Sequence, residues 1–116
     1  MNPTTYTPKN LDECFAELKK ILTSAELDKF KTCSDKDIWA YHHGLGQWMR
    51  NNWGLWGESE LKEFFKKMGL WHADDMSGVI IQSFHRHLRN EPLKVEEQVK
   101  EYLDFWKKSE EDRLNG

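Results

Sequence analysis

From Leu11 onward, apolar residues recur at intervals of three and four, and a residue able to cap a helix stands ahead of most runs. Leu11, Cys14, Phe15, Leu18, Ile21 and Leu22 form one face of a helix over about 11–22, with Asn10 as its cap and Glu13 three residues on. Thr23 and Glu26 make a capping box for a short second helix that buries Leu27 and Phe30. Ser34 opens a third, whose apolar positions are Ile38, Tyr41, Leu45, Trp48 and Met49. Gly44 and Gly46 interrupt it, each at a cost of about 1 kcal/mol relative to alanine, so a neighbouring helix or a ligand is expected to come close there. Trp53 to Gly57 breaks the pattern as an aromatic loop. A fourth helix starts near Ser59 and uses Leu61, Phe64, Phe65 and Met68, with Gly69 as its C′ residue.

The fifth helix begins around Ala73, with His72 as its N-cap and Asp74 and Asp75 in the first turn, where carboxylates complement the helix dipole. Met76, Val79, Ile80, Ile81, Phe84 and Leu88 make it apolar over more than half its circumference, which predicts a central position. Pro92 ends that unit, and a last helix over Val95–Lys108 buries Val95, Val99, Tyr102, Leu103 and Trp106. No alternating strand pattern, internal repeat or interdomain linker stands out. The expectation is an all-α, compact single-domain bundle of five to six short helices. Residues 1–9 would be a flexible arm, 10–108 the helical domain and 109–116 a frayed tail.

Composition narrows the classes of function. A chain of 116 residues is long enough for one core without disulfides. Its net charge is −3, acidic and basic residues balance over residues 1–57, and acidic residues exceed basic ones over 58–116. General nucleic-acid binding is not expected, because no basic stripe is present to neutralise a phosphate backbone. Cys14 and Cys33 read as reduced thiols, and no apolar run reaches the length of a membrane span. A cytoplasmic protein that does not enter a membrane is expected.

Chemistry-bearing residues concentrate between Tyr41 and His87, which holds all five histidines and four of the six tryptophans. On the third helix Arg50 shares a face with Gly46, His43 and Trp39. Arg50 beside a glycine, followed by Asn51, Asn52 and Trp53, is a candidate cradle for a small anionic or nucleotide-like ligand. The guanidinium would hold phosphate or carboxylate, the amides would read polar edges, and the indole would stack on a ring. His43 and His85 would complete it. The same residues also admit a structural role: the asparagines terminate the helix, Trp53 staples the loop, and Arg50 pairs with Asp74 or Asp75.

Metal binding and catalysis gain less. His42 and His43 diverge by about 100° on a helix and His85 and His87 by about 200°, so a site such as His42, His85 and Asp75 would need assembly across helices. No metal or other cofactor is expected. A small hydrolase would use His85 with Asp74 or Asp75 and a nucleophile at Ser77 or Ser83, but no strained nucleophile turn orders them. Trp39, Trp56 and Trp71 lie off the apolar stripes or beside loops, and are candidates for a protein interface or a homodimer.

The run Gly46 to Trp56, with Trp48, Arg50-Asn51-Asn52-Trp53 and Leu55-Trp56, is followed by Asp74-Asp75-Met76-Ser77-Gly78 and Phe84-His85-Arg86. Together these resemble a domain-of-unknown-function family of small bacterial proteins, over roughly residues 10–106. In that family a proline commonly follows the histidine of the His-x-Asp-Asp segment, where this chain has Ala73. The resemblance implies a bacterial or phage setting and no activity. On the Arg50 surface, a non-enzymatic binding module is the expected function, with a defence, counter-defence or immunity type of interaction protein as the alternative and the small hydrolase third.

Overall fold

The computed structural model describes residues 6–115 and contains α-helices and one 3₁₀ helix, with no strand among the described residues. The elements are α1 (Leu11–Ile21), α2 (Ser24–Thr32), a 3₁₀ helix (Asp37–His42), α3 (Leu45–Asn52), α4 (Glu60–Lys66), α5 (Ala73–Leu88) and α6 (Val95–Asn115). It is an all-α domain.

Local chemistry accounts for the helix ends. The Asn10 side chain accepts from the Glu13 amide at 3.0 Å, and Thr23 and Glu26 form a reciprocal capping box. Ser59 accepts from the Lys62 amide at 3.1 Å to start α4. Gly69, at φ +100°, ends that segment in the left-handed region, where a side chain would be strained.

Helix α5 is central, touching α1, α2, the 3₁₀ helix, α3 and α6. Met76, Val79, Ile80, Ile81 and Phe84 are fully buried there. Phe15 and Phe30 close over Phe84 at centroid distances of 5.8 and 5.5 Å, tying α1 and α2 to the axis of the bundle. Leu45, Met49, Trp53, Leu55, Leu61, Phe65 and Leu70 extend this core through α3, the aromatic loop and α4.

Three segments depart from the sequence reading. The expected third helix is divided into the 3₁₀ helix and α3, with the break at His43 and Gly44. Gly44 carries no side chain to resist the change in winding, and its backbone sits at ψ −77°. Helix α6 continues past the expected end at Lys108 to Asn115, although over residues 100–114 its side chains are half-buried or exposed. Its charges pair along the helix, Lys100 with Asp104 at 2.8 Å and Glu110 with Arg113 at 3.8 Å. Residues 1–5 of the expected arm lie outside the described residues, as does Gly116. The described end of the arm packs on α1: Pro8 is buried, and Tyr6 and the Lys9 amide both donate to the Glu13 carboxylate.

Candidate functional site

Arg50 lies on α3 against the first turns of α5, and its guanidinium is buried. Nη1 donates to Ser77 Oγ at 2.7 Å and Nη2 to the His42 carbonyl at 3.4 Å. Nε approaches Asp74 Oδ1 at 3.3 Å, and the guanidinium carbon stands 5.8 Å from the Trp56 ring centroid. Gly46 makes room for this arrangement, since a Cβ there would fall 3.0 Å from Arg50 Nη1. The charge is thus met by a hydroxyl, a carbonyl, a carboxylate and a ring, all from the protein itself.

The other residues of the expected anion cradle are spread apart. Asn52 donates to the Trp48 carbonyl at 2.8 Å, and Asn51 accepts from Trp56 Nε1 at 2.9 Å, so both amides serve the turn that follows α3. Trp53 is wholly buried with its ring edge-on to Trp48. His85 is also wholly buried; its Nε2 contacts the Cys33 carbonyl at 2.9 Å and Nδ1 faces Asp35 at 3.4 Å. Ser77 and His85 are two turns apart on α5, about 12 Å along the axis. Arg50 and His85 therefore address different ends of the helix. His43 alone of the six is an exposed residue on the wall of a cavity.

Catalytic pairings are likewise not assembled. Asp75 and His85 lie about 15 Å apart along α5, each with its own partner. Ser77 accepts from Arg50 and sends its own proton to the Asp74 carbonyl at 3.0 Å, so no base is placed to activate it. Ser83 accepts from Gln98 Nε2 at 3.1 Å. Burial pushes the Cys14 thiol well above its usual range, away from thiolate chemistry. No cluster of metal-ligating side chains occurs among the described residues.

A cleft of about 570 Å³ lies between the 3₁₀ helix, α5 and α6. The 3₁₀ helix and the turn after it contribute Trp39, His42 and His43. Helix α5 contributes Asp74, Asp75, Gln82 and Arg86, and α6 contributes Glu97, Gln98, Glu101, Tyr102 and Phe105. Two of its lining rings cover Gly78, where a Cβ would lie 2.3 Å from the Tyr102 hydroxyl and 3.6 Å from Trp39 Cζ3. A side chain at this position would collide with the Tyr102 hydroxyl, so the glycine is what lets that ring close on α5.

Four carboxylates face this space. Asp75 is buried and accepts from Trp106 Nε1 at 2.7 Å; burial raises its pKa, partly offset by that hydrogen bond. Trp106 in turn stacks on His72 at 4.1 Å, which ties the start of α5 to α6 and explains why His72 does not cap with its side chain. Among the cleft's basic groups, Arg86 donates to the Leu93 carbonyl at 2.7 Å. The His42 pKa is lowered, first by burial and then by the nearby Arg50. Tyr102, with its pKa pushed up to about 12 by burial, stays a neutral phenol.

The three tryptophans expected at an interface are all exposed, Trp39 by 43%, Trp56 by 60% and Trp71 by 66%. Their surroundings differ: Trp39 walls the cleft, Trp56 covers Arg50 and Trp71 sits 4.8 Å from Lys66 Nζ. The sequence reading did not single out the cleft, because its walls come from segments far apart in the chain. The position of Trp39 off the apolar stripe was the one local sign of it.

Residues 7–88 match the family described as Domain of unknown function (DUF6794), and the chain belongs to that family. No curated protein and no solved structure matches it. The match covers the bundle from α1 through α5 and stops short of α6, which supplies one wall of the cleft.

Proposed function

We propose that this chain is a non-enzymatic binding module whose site is the cleft between the 3₁₀ helix, α5 and α6. One observation carries the reading: the cleft has a volume of about 570 Å³, within the usual range for small-molecule sites, and sets three aromatic rings, Trp39, Tyr102 and Phe105, among polar and charged side chains. Ser77, Ser83 and His85, the residues a hydrolase would use, are engaged by the Asp74 carbonyl, Gln98 and the Cys33 carbonyl. The Arg50 surface is the weaker site for a small anionic or nucleotide-like ligand, since such a ligand would have to displace Ser77 and Asp74 from the guanidinium. A fragment screen followed by amide chemical shifts tests the proposal. Shifts clustered at Gly78, Gln82, Gln98 and Tyr102 are expected. A screen with no fragment in the cleft refutes it.

A second reading, a protein-interaction module, draws on exposed apolar side chains of α6 and the segment before α5. Trp71, Phe105 and Trp106 are 66%, 59% and 41% exposed, and Leu103 reaches Gly69 nearby. Such a concentration of aromatic surface suits a homodimer or a partner protein. Native mass at tens of micromolar decides the homodimer form, which a purely monomeric spectrum excludes.

A further inference from the structure

Resting on the binding reading above, we infer that the cleft takes a small organic cation, a substituted ammonium with apolar carbon around its charge. Charge is unbalanced around the cleft. Asp74, Asp75, Glu97 and Glu101 face the space, against one fixed guanidinium, Arg86, whose Nη1 is held by the Leu93 carbonyl. Asp74 is shared with Arg50, but Glu97 and Glu101 stand exposed on α6 at the mouth. An anion entering here would meet these carboxylates and find no free cation on α5 or α6 beyond Arg86.

The walls supply the second half of the recognition. Trp39, Tyr102 and Phe105 line the same cavity, and Trp39 and Tyr102 converge over Gly78. The electron-rich face of each ring attracts a cation, by about 0.5–1 kcal/mol at an exposed site and about 2 when desolvated. Alkyl groups on the nitrogen would contact the rings while the carboxylates balance the charge, a combination that neither an anion nor a bare metal ion exploits. Asp75, anchored by Trp106, would sit at the deep end and Glu97 and Glu101 at the entrance.

The test uses three probes of nearly one shape: choline, its uncharged carbon isostere 3,3-dimethylbutan-1-ol, and the anion 3,3-dimethylbutanoate. Each is titrated into the isotope-labelled full chain and followed at Gly78, Gln82 and Tyr102. Choline is expected to bind in the cleft at least tenfold more tightly than the alcohol, with the carboxylate weakest. In an E97Q/E101Q variant, both positions being exposed, choline should lose at least fivefold while the alcohol is unchanged. Equal binding of choline and the alcohol, or tighter binding of the carboxylate, overturns the cation assignment and leaves the cleft a binding site. Choline shifts confined to residues outside the cleft also overturn it. If all three probes and the fragment screen leave the cleft untouched, the binding reading falls with it.

Discussion

Replacing Arg50 with alanine removes the one buried guanidinium that joins α3 to α5, and its contacts set the size of the effect. The Nη1 bond to Ser77 at 2.7 Å is charge-assisted, a class worth about 1.5–3 kcal/mol. The Asp74 side chain is 64% exposed, so that ion pair adds only about 0–1 kcal/mol after solvent screening. Contact with the exposed Trp56 ring adds about 0.5–1 kcal/mol. Their combined loss is about 3 kcal/mol, which for a domain of this size lowers Tm by roughly 12 °C. Differential scanning calorimetry measures it directly.

A double-mutant cycle sharpens that expectation. If Arg50 acts through Ser77, Arg50→Ala and Ser77→Ala share a coupling of about 1–2 kcal/mol. Strict additivity within about 0.5 kcal/mol would mean the hydrogen bond carries no stability. The same variant has an independent readout at His42. Burial is the main cause of its lowered pKa and Arg50 the next, so removing Arg50 should move the ring's titration up toward its ordinary 6.5. A Tm drop below about 3 °C together with an unmoved His42 would refute the structural account of Arg50.

Other substitutions probe the packing around the cleft. Gly46→Ala gains about 1 kcal/mol of helix propensity but places a Cβ 3.0 Å from Arg50 Nη1 and 3.3 Å from Ile81 Cδ1; crowding should win, with net destabilisation of about 1 kcal/mol in urea, and a stabilised variant would contradict it. Gly78→Ala should push Tyr102 off α5, so amides 98–106 exchange faster while α5 keeps its protection; unchanged exchange in α6 would show the contact to be dispensable. Asp75→Asn addresses pH. Because burial raises the folded pKa of Asp75, its contribution to stability is complete below the ordinary value of 3.8 and is lost as pH rises through the raised value. Asparagine does not titrate and its side-chain oxygen still accepts from Trp106, so the Tm of Asp75→Asn relative to the parent should climb between pH 3.5 and neutrality. A gap that is flat or shrinks over that range would be inconsistent with the buried carboxylate.

What could be read from the sequence was what depends on near neighbours. The caps at Asn10, Thr23 and Ser59, the left-handed Gly69 and the apolar circumference of α5 are each determined within a turn or two of chain. The break at Gly44 was harder, because Ile38, Tyr41 and Leu45 keep a helical spacing through a 3₁₀ segment as well as through an α-helix. Arg50 shows the limit most clearly. Its proximity to Gly46 could be read from helical spacing, but the hydroxyl that receives its guanidinium is Ser77 of α5, and no local pattern names it. The cleft shares this difficulty, since Trp39, Gly78 and Tyr102 come from three separate elements.

Gly78 links these two scales. Within α5 alone, a glycine costs about 1 kcal/mol relative to alanine and gains nothing. With α6 in place, the same position admits the Tyr102 hydroxyl to where a Cβ would be, so the cost is met by packing between helices. The family match covers residues 7–88, and Gly78 lies within them, whereas Tyr102, Glu97 and Glu101 lie beyond. The following helix therefore adds Glu97, Glu101, Tyr102 and Phe105 to the carboxylates and ring already supplied by the bundle. On this reasoning, ligand choice depends on the face of α6 more than on the core. A Glu97→Lys and Glu101→Lys pair should invert the preference from choline to 3,3-dimethylbutanoate without lowering Tm, because both side chains are exposed. Retained choline preference in that variant would place the selectivity in α5, at Asp75, instead.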